Sequence, residues 1–152
     1  MTTNELSDLY QEVILDHNKN PHNFGKLEHY SHYAKGNNPL CGDNIELFLE
    51  IENYIIKDIK FNGSGCAISK ASASVMTTLL KGKTIEEAKK LFEDFHNAVI
   101  LNPNTSSNDL NLGKLNVFCG VREFPARVKC ASLAWHTLQN AINNVTEIAI
   151  TE

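Results

Sequence analysis

The sequence predicts an α+β fold, with a small, about three-stranded antiparallel sheet covered by helices in a two-layer sandwich. Two observations lead to this prediction. After one amino-terminal helical segment, stretches with alternating apolar and polar residues follow one another directly, and stretches with helical spacing come after them. Strands grouped together, with helices afterwards, favour a sheet with helices packed on it over alternating βα units.

The chain begins with a predicted helix of about four turns. Thr2 and Glu5 form a capping-box pattern, and apolar residues then recur at spacings of three and four as far as Ile14. Between Asn18 and Gly25 the composition changes to Asn, Pro, His and Gly, which indicates that the helix ends and a loop follows.

The predicted sheet comes next. Apolar residues alternate with other residues from Ile45 to Glu52, which is typical of a strand with one buried face. A tight turn at Glu52-Asn53 leads into a second β-rich segment from Tyr54 to Phe61, and the extended stretch before Cys41 is the expected third strand.

Three further helices complete the prediction. The first extends from Ala67 to Lys81, before Gly82, and a capping box of Thr84 and Glu87 begins the second. Proline is favoured in the first turn of a helix, so the last one is expected to begin at Pro125.

The length of 152 residues suits one domain spanning 1–152. Residues 102–113 are rich in Asn, Ser and Asp, so we expect a flexible surface loop there, and we expect residues 143–152 to form a frayed tail.

Composition narrows the functional classes. The chain has 14 basic and 18 acidic residues and a net charge of -4, which argues against nucleic acid as a partner. No apolar stretch approaches the length of a membrane span, and the amino terminus lacks a signal-peptide pattern, so we expect a cytoplasmic protein without a membrane partner. Cysteines in a reducing compartment are expected to be thiols or metal ligands.

Three of the four cysteines and one aspartate form a candidate metal site. Cys41 and Asp43 flank Gly42 in a predicted turn, whereas Cys66 and Cys130 lie near helix amino termini, where the helix dipole favours the thiolate. Three thiolates and a carboxylate would complete a tetrahedral zinc site. The spacing is not that of a zinc ribbon, so small buried thiols remain the alternative.

The sequence segments around these cysteines resemble those of a known protein family. Segments 37–43 (NNPLCGD), 63–69 (GSGCAIS) and 124–131 (FPARVKCA) resemble the three cysteine motifs of iron-sulfur cluster assembly proteins of the IscU and SufU class, the NifU N-terminal-like family. IscU proteins have a histidine immediately before the last cysteine, where this chain has Lys129. They also have a shorter connection than the one from Gly82 to Val121, so the chain resembles the SufU type.

The resemblance implies a SufU/IscU-like fold and a zinc site made by Cys41, Asp43, Cys66 and Cys130. It also implies that sulfur is accepted from a SufS-type cysteine desulfurase and is passed to a downstream SUF cluster-assembly complex. Cys41 is the best candidate for the acceptor, because it lies on a glycine-containing turn while the other two cysteines are anchored by helices. If the protein is an enzyme, it is a sulfurtransferase.

Two other functions stay open. The same cysteines could hold an iron-sulfur cluster in a scaffold protein, although Lys129 in place of histidine weighs against this. A non-catalytic structural zinc module is the second alternative.

Arg127, three residues before Cys130, is a candidate for hydrogen bonding to Asp43 or to a sulfur anion, against a plain surface charge. Cys119 matches none of the three motifs and lies in an apolar segment, which favours a buried structural thiol.

Four histidines, His17, His22, His29 and His32, occur in the first quarter of the chain. His29 and His32 could bind a metal if they were one helical turn apart. Their neighbours are typical of a loop, so solvated histidines are favoured for the group.

Overall fold

The computed structural model describes residues 12–99, Phe118 and 125–151. Its elements, in chain order, are α1 (described over residues 12–19), β1 (His32–Asn38), β2 (Asp43–Glu52), β3 (Ile55–Ser64), α2 (Ala67–Leu80), α3 (Ile85–Val99), α4 (Pro125–Ile142) and β4 (Ala149–Ile150). The predicted α+β class is confirmed, and so is the grouping of β1, β2 and β3 before α2, α3 and α4.

The sheet has the strand order β3-β2-β1-β4. The β1–β2 and β2–β3 pairs are antiparallel, as the sequence predicts. A tight turn joins β2 to β3, and its two residues, Asn53 and Tyr54, both have positive φ angles, of 54° and 63°. Such paired positive angles match the right-handed twist of the strands that the turn connects.

The carboxyl-terminal part of the chain differs from the expected frayed tail. Ala149–Ile150 form β4, which pairs in parallel with β1 through Gly36 and Asn37. Thr151 adds a backbone hydrogen bond to the Asn37 carbonyl, at 3.2 Å. The sheet is therefore four-stranded and mixed, and the prediction of an antiparallel sheet of about three strands was wrong at this edge.

The helices α2 and α4 pack on the sheet, and α3 packs against α4. Gly36 of β1 allows α4 to approach closely, because a Cβ atom at this position would lie 2.0 Å from Thr137 Oγ1. Trp135 of α4 is fully buried and stacks on Phe95 of α3, with ring centroids 4.8 Å apart. This packing fixes the position of α4, the helix that carries Cys130.

The capping box before α3 is confirmed. Thr84 Oγ1 accepts a hydrogen bond from the Glu87 backbone N–H at 3.1 Å, and Glu87 Oε1 accepts one from the Thr84 N–H at 3.2 Å. These bonds hold the pKa of the Glu87 carboxyl below its usual value.

The outer face of β2 is less polar than expected for a strand with one buried face. Phe48 points away from Leu47 and Leu49 and is nevertheless only 5% exposed. It contacts the rings of Tyr30 and Tyr33, with centroids 5.2 and 5.1 Å away. The segment that precedes β1 therefore covers part of this face.

Several expectations lie outside the described residues: the capping box of α1, the loop at 102–113 and the position of Cys119. The single-domain assignment stays a prediction. Among the helices that the structure describes, none is long and apolar enough to cross a membrane.

Candidate metal centre

Two of the predicted ligands lie at the turn between β1 and β2. The strands close on each other at the Asn38–Asp43 pair, and the four residues between them form the turn. Gly42 has a φ angle of 69°, in the left-handed region that glycine tolerates best. The turn leaves Cys41 exposed, whereas Asp43, the first residue of β2, is fully buried.

Cys66 is the N-cap residue of α2. Its sulfur accepts a hydrogen bond from the Ser69 backbone N–H at 3.4 Å, which is the usual role of a capping side chain. Its own backbone N–H donates to Asp43 Oδ1 at 2.7 Å, and its Sγ lies 3.9 Å from Asp43 Oδ2. The start of α2 is thereby fixed to the start of β2.

Gly65 makes this contact between α2 and β2 possible. A Cβ atom at position 65 would lie 2.4 Å from Asp43 Oδ1, closer than any side chain could fit. Gly65, the second glycine of the GSGC segment, is therefore required by the position of the Asp43 carboxylate.

Cys130 lies on α4 and is 1% exposed. Its thiol donates to the Cys41 sulfur, with the two Sγ atoms 3.0 Å apart. Burial raises the pKa of the Cys130 thiol well above its ordinary value, and the hydrogen bond to Cys41 and the nearby Cys66 raise it further. The protein itself thus disfavours a free thiolate at Cys130.

Asn38 is a site residue that we did not predict. It is fully buried at the end of β1, and its Nδ2 lies 3.5 Å from Asp43 Oδ2 and 3.6 Å from Cys130 Sγ. Its Oδ1 is buried without a hydrogen-bond partner in the described part of the chain. One amide therefore bridges the carboxylate of β2 and the thiol of α4, two candidate ligands from separate elements.

The structure brings three of the four predicted ligands into one group. The ligand atoms of Cys41, Asp43 and Cys130 all lie within 4.8 Å of one another. Cys66 is outside that group but contacts Asp43, as described above. Three sulfurs and a carboxylate would carry several negative charges in a small space, and a soft divalent cation such as zinc would balance them. The donor set fits zinc, and the ligand assignment itself stays a prediction.

Arg127 is exposed in the first turn of α4. Among the described residues, Asp43 takes its hydrogen bonds from Asn38 and Cys66, and none of them comes from Arg127. A role for Arg127 toward a sulfur anion stays a prediction.

The histidines agree only in part with the expectation that they are solvated. His29 is exposed, and His32 is on β1, so these two residues are not one helical turn apart. His17, by contrast, is only 5% exposed, and its Nδ1 lies 2.7 Å from Ser74 Oγ of α2. The interpretation of a solvated histidine was wrong for His17, because α1 packs close to α2 and no local pattern records that contact.

Comparison with protein families connects this geometry with known proteins. The profile of the NifU-like N terminal domain matches residues 9–131, which include Cys41, Asp43, Cys66 and Cys130. The chain belongs to the NifU-like N-terminal domain family. Membership agrees with the resemblance carried by the three cysteine motifs.

Relatives within the NifU-like family are named for two different activities. The zinc-dependent sulfurtransferase SufU of Bacillus subtilis (strain 168) is 43% identical over 140 residues, which cover 90% of this chain and 91% of the relative. The iron-sulfur cluster assembly scaffold protein IscU of Streptococcus pyogenes serotype M1 is 41% identical over 142 residues, which cover 93% of this chain and 87% of the relative. Family membership therefore does not distinguish between sulfur transfer and scaffolding as the function.

A solved structure supports the fold. A putative iron-sulfur cluster assembly scaffold protein for the SUF system, from Fervidobacterium islandicum AW-1, superimposes with a TM-score of 0.81 at 36% sequence identity. The match covers 89% of this chain and 97% of that one. The SufU/IscU-like fold that the motifs imply is confirmed.

Proposed function

We propose that this protein is a zinc-dependent sulfurtransferase that accepts persulfide sulfur from a SufS-type cysteine desulfurase. The observation that carries the proposal is the pairing of an exposed thiol with a buried one. Cys41 is an exposed residue, and its Sγ lies 3.0 Å from the Sγ of the buried Cys130. A partner can reach the first sulfur, while the second holds its position in the core.

Cys41, Asp43, Cys66 and Cys130 would hold the zinc ion. When bound, zinc keeps thiols deprotonated, which supplies the thiolate form that burial disfavours at Cys130. Asp43 is the hardest donor of the four and the one that a soft metal holds least firmly. Its carboxylate has the Cys66 N–H and the Asn38 amide as hydrogen-bond partners, and these would hold it in place whether or not it coordinated an ion.

Sulfur transfer would use Cys41 as the nucleophile. Its thiolate attacks the outer sulfur of the persulfide on the desulfurase cysteine. The new sulfur–sulfur bond forms on Cys41, the old one breaks, and the desulfurase cysteine leaves as a thiolate. No net oxidation occurs, because one persulfide is exchanged for another. Exposure of the turn allows this in-line approach from outside the protein.

The residues next to Cys41 suit contact with a partner. Leu40 precedes it in the turn and is 69% exposed. An exposed leucine beside the nucleophile offers apolar surface that the desulfurase would cover when the two proteins dock. The persulfide on Cys41 would then pass to a downstream SUF cluster-assembly complex, and we place these steps in the cytoplasm.

Scaffolding is the second candidate, and the 41% identity to the IscU of Streptococcus pyogenes favours it. The described residues around Cys41, Asp43 and Cys130 include no histidine that joins the group. This agrees with Lys129 in place of the histidine of IscU proteins, and it supports transfer over scaffolding.

The test is turnover of a SufS-type desulfurase on cysteine, with and without this protein, and with metal analysis of the same preparation. We expect about one tightly bound zinc per chain, at the cysteine site, and faster desulfurase turnover. Loading with iron and sulfide should give no stable cluster absorbance. Iron in place of zinc, or a stable cluster with no effect on turnover, would establish scaffolding instead. Zinc without any stimulation would leave only a structural role for the site.

A further inference from the structure

We propose that Asp16, His17 and His22 form a second metal site, which takes a divalent first-row transition-metal ion. One ligand atom from each of the three residues lies within 4.8 Å of the others. These residues are distinct from the four candidate ligands of the cysteine site, and the proposal does not depend on sulfur transfer.

The chain brings the three side chains together at the end of α1. Asp16 and His17 are in the last turn of this helix, and the Asn20 N–H donates to the Asp16 carbonyl at its end, at 2.8 Å. The His22 ring follows shortly after and lies beside the His17 ring, with centroids 4.6 Å apart and planes inclined by 38°. Two imidazoles at this separation can direct nitrogens to a shared ion.

Hydroxyl groups of α2 contact both histidines. Ser74 Oγ lies 2.7 Å from His17 Nδ1 and accepts the His22 backbone N–H at 2.8 Å. Thr78 Oγ1 lies 3.4 Å from Nδ1 of the His22 ring. Metal-binding histidines are commonly oriented by such outer-shell partners, which set the ring before the ion arrives.

Donor type and exposure decide which ions fit. Two imidazole nitrogens and one carboxylate oxygen suit zinc, iron(II), cobalt(II) or nickel(II), whereas magnesium and calcium prefer oxygen ligands alone. His17 is buried, while Asp16 and His22 are exposed. An ion can therefore enter from solvent, bind a fixed buried ligand and keep water in its remaining positions.

The two sites are connected by a rigid element and are chemically different. Cys66 caps the start of α2, and Ser74 is eight residues further along the chain, or about 12 Å along the helix axis. One site offers thiolates and the other offers nitrogen and oxygen, so the same probe ion gives two distinguishable spectra.

The test is titration of metal-stripped, reduced protein with cobalt(II), followed by absorption spectroscopy and calorimetry. The parent should bind two ions, one with intense thiolate charge-transfer absorption and one without it. His22→Gln and Asp16→Asn, both at exposed positions, should lower the affinity of the second event by about 100-fold or more. Neither change should affect the thiolate band. His29→Gln, at an exposed position outside the group, is the matched control and should bind both ions like the parent.

The proposal would be overturned if the parent bound only the ion with the thiolate band. It would also be overturned if both His22→Gln and Asp16→Asn bound the second ion as tightly as the parent. Thermal melting of each variant without metal checks that the fold is retained, and the exposed positions make retention the expected result.

Discussion

The turn between β1 and β2 and the buried face of α4 supply the same chemical group to the site in two different settings. Cys41, on the turn, is exposed and has no helix to hold it, whereas Cys130, on α4, is 1% exposed. The two sulfurs are nevertheless 3.0 Å apart. Accessibility, and not proximity to the site, distinguishes the two cysteines.

Under the proposed function, this difference in exposure would give the two cysteines separate tasks. A sulfur acceptor must be reached by a partner, and a metal anchor must keep its position while another ligand leaves. Cys66, the N-cap of α2, is half-buried and would serve, like Cys130, as an anchor. Variants at these positions, and removal of the metal, test how far the roles of anchor and acceptor can be separated.

Cys130→Ala should have the largest effect on stability. It removes a ligand that the folded core holds in place and leaves a small cavity beside Asn38. We expect loss of most of the zinc and a decrease of about 4 kcal/mol in the free energy of unfolding, from metal loss and the cavity together. Denaturant unfolding, with zinc measured on the same samples, checks this. A variant with parental stability and zinc would show that Cys130 is not an anchor.

Removal of the metal from the parent should have the next largest effect. The candidate ligands come from the β1–β2 turn, the start of β2, α2 and α4, and an ion bound to them would join these segments in the folded state only. A strong chelator should lower the free energy of unfolding by about 3 kcal/mol, and the melting temperature by about 6 to 12 °C. An unchanged melting curve after confirmed metal loss would contradict a linking role for the ion.

Gly65→Ala should displace the Asp43 carboxylate, because the new Cβ would lie 2.4 Å from Asp43 Oδ1. We expect a loss of about 2 kcal/mol of stability, together with weaker zinc binding. Gly82→Ala is the control, since Gly82 also has a positive φ angle but no atom within 4 Å of the added Cβ. It should lose some stability and keep its zinc. Equal zinc contents in the two variants would mean that Asp43 does not hold the metal.

Cys41→Ala should have the smallest effect on stability, about 1 kcal/mol. Asp43, Cys66 and Cys130 remain as candidate ligands, and water can occupy a fourth position, so some zinc should persist. Thermal melting and zinc analysis check this prediction. A destabilisation as large as that of Cys130→Ala would remove the distinction between acceptor and anchor.

The sequence predicted those parts of the fold that have local signals. Alternation marked β2 and β3, and Thr84 with Glu87 marked the start of α3. The strand β4 could not be predicted, because Ala149–Ile150 are held by pairing with β1, far away in the chain. Burial of Phe48 depends in the same way on Tyr30 and Tyr33, whose positions no local pattern records.

In the candidate site, too, residues with a signal in the sequence could be predicted, and residues that depend on distant contacts could not. Cys41, Asp43 and Cys130 could be chosen by their chemistry and by the motif resemblance, and the structure brings them together. Asn38 could not be chosen, because its role arises only where the end of β1 meets α4. The histidine cluster depends on α1 packing beside α2, a contact without a sequence period.

The most direct test of the separation between acceptor and anchors is mass spectrometry of the protein after incubation with a SufS-type desulfurase and cysteine. Zinc is measured on the same samples, and Cys119→Ala serves as the control for the remaining cysteine. We expect one added sulfur on Cys41 in the parent and in Cys119→Ala, and none in Cys41→Ala, although that variant keeps part of its zinc. Added sulfur on Cys119 or Cys130, or parental acceleration of the desulfurase by Cys41→Ala, would contradict the account.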